Sequence, residues 1–116
     1  MANPVRYQPG TVALLGVDLV NENGVAADPD VDIRIRILDD LGVVVVDLTE
    51  AIGGLASIEN PIVGRYQYRH AVTTNDSTAD TIWQHEWTGN SATPPAPTVK
   101  GKPACFLVEA TDFPVP

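Results

Sequence analysis

The sequence predicts an all-β protein: an antiparallel β-sandwich of about seven short strands, flanked by extended N- and C-terminal arms. Three observations carry this. Apolar residues recur with a period of two in several windows and with a helical period in none. Turn-forming residues punctuate those windows roughly every 8 to 12 positions, the spacing of sandwich folds. The ten prolines fall between the windows or near the ends, where a missing amide donor does no harm. The boundaries that follow are an arm over residues 1–10, a sandwich over 11–110 and a second arm over 111–116.

The elements can be justified in order. Asn3-Pro4 and Pro9-Gly10 break the first ten residues into an extended arm. From Thr11 to Val20, Ala13, Leu15, Val17 and Leu19 share one face. Asn21-Glu22-Asn23-Gly24 is a turn, because Asn and Gly tolerate positive φ. After Asp28-Pro29-Asp30 comes the cleanest alternation in the chain. Ile33, Ile35 and Ile37 oppose Asp32, Arg34 and Arg36, which describes a strand with one wet face. Asp39-Asp40-Leu41-Gly42 turns the chain back, and β-branched density makes Val43 to Leu48 its hairpin partner. Thr49 to Leu55 is ambiguous: Thr49-Glu50-Ala51-Ile52 could start a helical turn, but Gly53-Gly54 stops it at once. Ser57 to Glu59 is a short strand ended by Asn60-Pro61.

Val63 to Val72 is a strong strand, with Tyr66, Tyr68, His70 and Val72 in phase and Gly64 marking its start or a bulge. Thr73 to Asp80 is turn-like. In Thr81 to Thr88, Trp83, His85 and Trp87 alternate with Ile82, Gln84 and Glu86. Gly89 to Pro103 reads as a long irregular loop, Ala104 to Ala110 as a last strand, and the remainder as the second arm.

The 116 residues suit one domain, able to bury roughly two-thirds of its unfolded surface without disulfides or metal. Fifteen acidic against seven basic residues give a formal charge of -8, which argues against nucleic acid and against an electrostatic membrane-surface role. Acidity of this kind keeps a protein soluble at high concentration. Cys105 is the only cysteine, so no internal disulfide can form, and folding in a reducing cytosol is expected. Met-Ala-Asn-Pro-Val-Arg lacks the apolar core of a signal peptide, and no run approaches the ~20 apolar residues of a membrane span.

Four groups of residues bear on chemistry. Asp28, Asp30 and Asp32 resemble the opening of a calcium loop, but the sixth and twelfth positions are Ile33 and Asp39 where a glycine and a bidentate glutamate are needed. A solvated turn is expected instead. His70, His85 and Cys105 have no zinc spacing. A Cys–His nucleophile pair would have to meet in space, and Cys105 between Ala104 and Phe106 is expected to be a buried structural thiol. Fifteen carboxylates guarantee chance pairs, so none is singled out as a glycosidase dyad. Tyr66, Tyr68, Trp83 and Trp87 could stack sugar rings or pack a core, and their shared phase favours the core. No catalytic, cofactor-binding or metal residue is assigned, no cofactor is expected, and the expectation is a protein that is not an enzyme.

The order of these features resembles the small immunoglobulin-like domains of tailed-bacteriophage structural proteins. The resembling pieces are Tyr7-Gln8-Pro9-Gly10-Thr11, Asn23-Gly24, Asp28-Pro29-Asp30 before Val31-Asp32-Ile33-Arg34-Ile35, and Asp39-Asp40-Leu41-Gly42. Gly64-Arg65-Tyr66-Gln67-Tyr68, Trp83-Gln84-His85-Glu86-Trp87-Thr88-Gly89 and Phe106-Leu107-Val108 complete the series, from Tyr7 to Val108. The resemblance implies an immunoglobulin-like sandwich without an active site, located in the virion. Its implied partners are the major capsid protein or other virion proteins, and copies of itself. The expected role is capsid decoration on the outside of the head, with a neck, tail or fibre accessory as the next reading. An adhesin or carbohydrate-binding module is the alternative of a different class.

Overall fold

The computed structural model describes residues 5–7, 10–72, 81–100 and 104–108. Among them the chain is all-β: two sheets packed face to face, joined by loops and one short 3-10 turn. The strands are β1 (Val5–Tyr7), β2 (Val12–Val20), β3 (Asp32–Leu38), β4 (Val44–Ala51), β5 (Ile58–Ile62), β6 (Arg65–Ala71), β7 (Thr81–Asn90), β8 (Thr98–Val99) and β9 (Ala104–Val108). One sheet has the order β1-β9-β7-β3-β4 and the other β5-β6-β2-β8. Pairing is antiparallel throughout except between β1 and β9.

Period two decides which side chains fill the space between the sheets. Ala13, Leu15, Val17 and Leu19 project from β2, and Ile33, Ile35 and Ile37 from β3, the last three without accessible surface. Tyr66 and His70 come from β6, His85 and Trp87 from β7, and Phe106 and Val108 from β9. Each buried isoleucine contributes roughly 1.5–3 kcal/mol by leaving water. The outer faces carry cross-strand ion pairs: Arg34 with Asp47, Arg36 with Glu86, Arg65 with Asp18 and Arg69 with Glu59. Exposed pairs of this kind add little stability, about 0–1 kcal/mol each.

Several expected boundaries move. The described residues contain nine strands rather than about seven. Within the expected N-terminal arm, Val5–Tyr7 form β1, which lies parallel to β9 with Val5 opposite Phe106 and Tyr7 opposite Val108. The segment 111–116 of the expected C-terminal arm and the 73–80 turn lie outside the described residues. β4 continues to Ala51, and the 3-10 turn follows at Ile52–Gly54. There Glu50 reaches forward: its Oε1 accepts the N–H groups of Ala56 (3.1 Å), Ser57 (3.1 Å) and Ile58 (2.7 Å), fixing the crossing to the second sheet. Burial raises the Glu50 pKa, but those three backbone donors outweigh it and hold the carboxyl below its ordinary value. β5 runs on past Pro61 to Ile62 because it is an edge strand whose register shifts between Glu59 and Ile62, so the missing N–H is not needed. The 89–103 loop is partly ordered into the sheets: β7 extends to Asn90, and Val99 of β8 pairs with Leu19 of β2.

Candidate functional site

The residues singled out from sequence are dispersed, and their polar groups are largely consumed by the fold. The three aspartates of the calcium-like run serve three separate contacts. Asp28 Oδ1 accepts the Gly64 N–H at 2.7 Å and the Tyr66 hydroxyl at 3.0 Å. Asp30 Oδ1 accepts the Ala92 N–H at 2.7 Å, and Asp32 Oδ1 accepts from Asn90 Nδ2 at 2.6 Å. Among the described residues no three His, Cys, Asp or Glu side chains gather as a metal cage would require.

His70 and His85 are buried on opposite sheets, and both pack against Phe106, at ring separations of 6.4 and 6.1 Å. His85 Nδ1 accepts the Trp87 indole N–H at 2.9 Å. Cys105 corrects the expectation of a buried thiol. Phe106 and Val108 take the inner face of β9, so alternation turns Cys105 outward, where it is exposed. Cys105 and His85 therefore sit on opposite faces of their sheet. The aromatics are core. Tyr66 is fully buried and Trp87 is 7% exposed. Trp83 is half-buried against the core, with its indole N–H on Thr81 Oγ1 at 3.1 Å. Burial, then the contact with Asp28, raises the Tyr66 pKa, so the phenol stays protonated and keeps donating.

What the fold does assemble is one end of the sandwich. The 21–31 loop, the β5–β6 turn and the 91–97 loop converge there, and Asp28 and Asp30 tie them together. Asp28 binds the first to the second through Gly64 and Tyr66. Asp30 binds the first to the third, since its own N–H also donates to Ser91 Oγ at 3.2 Å. Backbone bonds reinforce the clamp: Leu19 N–H to Gly64 O at 2.7 Å, Ala27 N–H to Leu19 O at 3.1 Å, and Val31 N–H to Asn90 O at 3.0 Å. Asn60 Nδ2 bonds the carbonyls of Ile62 and Arg65, both at 2.8 Å, and so braces the β5–β6 turn from inside. Gly64 is required at this point. Its φ is +78°, and a Cβ would stand 2.7 Å from Leu19 O and 3.1 Å from the Ala26 Cβ.

This braced end presents apolar side chains to solvent. Ile62 is 69% exposed, Val63 60% and Val25 59%. The Val63-Gly64 turn lies against Ala26 and Ala27, which brings these three into one neighbourhood. Segments 21–31, 58–64 and 90–97 contain Glu22, Asp28, Asp30 and Glu59 but no lysine or arginine. The cations beside these segments are already paired, Arg65 with Asp18 on β2 and Arg69 with Glu59 on β5. The arrangement is a braced apolar surface with carboxylates at its border. Apolar residues inside Asn- and Gly-rich turns were the available sequence signal, since a turn needs no valine or isoleucine for its own geometry.

Asp28→Ala should lower stability by about 1–3 kcal/mol, because it leaves the Gly64 N–H and the Tyr66 hydroxyl without an acceptor. Asp28→Asn keeps the acceptor oxygen and should lose less. Thermal melts of both variants test this; equal midpoints for Asp28→Ala and the parent chain would refute the clamp.

No protein-family model matches the chain, and no curated relative matches it. No helix among the described residues is long and apolar enough to cross a membrane.

Proposed function

We propose that the protein is an immunoglobulin-like, non-enzymatic docking module of a tailed-phage virion, and that its first role to test is capsid decoration. The observation that carries the docking reading is the braced three-loop end with Val25, Ile62 and Val63 exposed. A surface held rigid before contact loses little entropy on binding. The strand order supports the immunoglobulin-like assignment. β5-β6-β2 follows the D-E-B order of that fold, and β9-β7-β3-β4 follows G-F-C-C′. The docking end is then the end that carries the B–C and F–G loops, from which many domains of this architecture bind partners. The virion assignment rests on the sequence resemblance, with which the acidic charge agrees. Many copies with modest interfaces would reinforce a shell by avidity.

Sedimentation with undecorated heads of tailed phages tests the proposal. The parent protein should pellet with the heads. An Ile62→Asp, Val63→Asp double variant should melt at the parent temperature, because both side chains are exposed, yet stay in the supernatant. A protein that ignores heads but joins neck, tail or fibre components would move the role to an accessory of those parts. Glycan binding would favour the adhesin reading, which the burial of Trp87 and the packing of Trp83 disfavour.

A further inference from the structure

Among the described residues the two sheets end in four edge strands, and they are not alike. β1 has three residues and β8 two, too short to template another strand. β5 contains Pro61 and a register shift. Short edges, proline and irregular register are the usual means of blocking edge-to-edge pairing. β4 is the longest of the four, and its one register shift, at Val45, leaves Val46 to Ala51 in unbroken register with β3. It has eight residues with neither proline nor lysine, and among the described residues nothing covers its edge from Val44 to Thr49.

Its side chains favour contact as well. Leu41 and Val43, in the preceding turn, are 82% and 55% exposed, and Val44 and Val45 are 38% and 44% exposed. The register places Ile37 opposite Val46 and Leu38 opposite Val44, so Val45 is bulged and consecutive valines face solvent. Both carboxylates of the strand are already engaged within the chain. Asp47 is gripped by Arg34 through two bonds of 2.8 and 2.6 Å, and Glu50 holds the N–H groups of residues 56–58. On a chain of net charge -8, the only charged side chain between Val44 and Thr49 is Asp47, and Arg34 neutralises it.

We propose that β4 is a homodimer interface, in which the β4 edges of two copies pair antiparallel about a twofold axis. The occupant is a second copy for two reasons. Two acidic molecules repel least where their charges are internally neutralised. An unpaired strand edge is also its own complement, which is what an isologous contact requires. Such a dimer would present two three-loop ends to one assembly, but it does not depend on the docking role proposed for them.

Sedimentation velocity of the full chain from micromolar to submillimolar concentration tests the inference, together with amide hydrogen exchange of β4. The expected result is a monomer–dimer equilibrium with slowed exchange in residues 44–49 as dimer forms. A Val44→Asp, Val45→Asp variant should keep the parent melting temperature and weaken dimerisation at least tenfold, because pairing would desolvate two new carboxylates per copy with no cation to meet them. The Ile62→Asp, Val63→Asp variant should dimerise as the parent does. A parent chain that stays monomeric throughout would overturn the proposal. So would a dimer that the Val44/Val45 change leaves intact, or protection of β4 only when another protein is added.

Discussion

Ile35→Asp should abolish folding. Ile35 has no accessible surface and lies at the centre of β3, flanked by β4 and β7 through Leu48 and Trp87. A carboxylate there would lose its water and gain no partner, since Ile33 and Ile37 are buried on the same face. The loss of the isoleucine packing adds to that cost. Together they reach about 4–5 kcal/mol or more, a large share of the 5–15 kcal/mol by which most domains are stable. Circular dichroism and urea titration provide the check. A soluble variant with a cooperative transition would mean that the buried and wet faces of β3 are inverted. Arg34→Ala provides the contrast: it lies on the outer face, loses only the exposed pair with Asp47, and should fold.

Acid should unfold the protein over an unusually high pH range. Burial lowers the His70 pKa and takes that of His85 from 6.5 down to about 4. The groups facing the pair offer no compensating charge. Tyr68, Trp83 and Phe106 pack against His70, and the Trp87 N–H and Phe106 meet His85. The direction follows from which state takes up protons first. Above pH 6.5 both states carry neutral imidazoles. As the pH falls below 6.5, the unfolded chain binds protons that the native chain refuses, so stability drops until the pH reaches about 4. One pKa unit is worth about 1.4 kcal/mol, so His85 alone accounts for a loss on the order of 3 kcal/mol. His70 adds to it in the same direction. Asp47 and Glu50, whose pKa values are lowered, add their own loss only as the pH falls through the ordinary carboxyl values of 3.8 and 4.5. Urea midpoints at pH 7, 5.5 and 4.5 measure the slope. His85→Gln, which leaves Trp87 an acceptor, should flatten it. A parent protein equally stable at pH 7 and 4.5 would show that both imidazoles gain protons without opening the core.

Long strands with strict alternation were legible because period two alone states which face is buried. Ile33, Ile35 and Ile37, and Ala13 through Leu19, needed no tertiary information. The phase of Tyr66, His70, His85 and Trp87 was readable for the same reason. Ala104-Cys105-Phe106-Leu107-Val108 was not, because it has no polar residue to mark the wet face. There the pairing with β7, which sets Cys105 opposite Gln84 and Phe106 opposite Trp83, turned the thiol outward. β1 and β8 were missed because two or three residues carry no measurable period. Each exists only because a distant partner, β9 or β2, stands beside it.

The three-loop end was less legible than the core. Asp28 acts on residues 36 and 38 positions away, and Asp30 on one 62 positions away, so spacing along the chain holds no trace of the clamp. Sequence alone determined the all-β class, the faces of the long strands and the acidic charge, since these follow from local periodicity and from counting ionisable groups. The tertiary structure decided which sheet each strand joined, which edge stayed open and which three loops met. Those depend on long-range pairing, where loop closure and side-chain contacts between remote residues set the free energy.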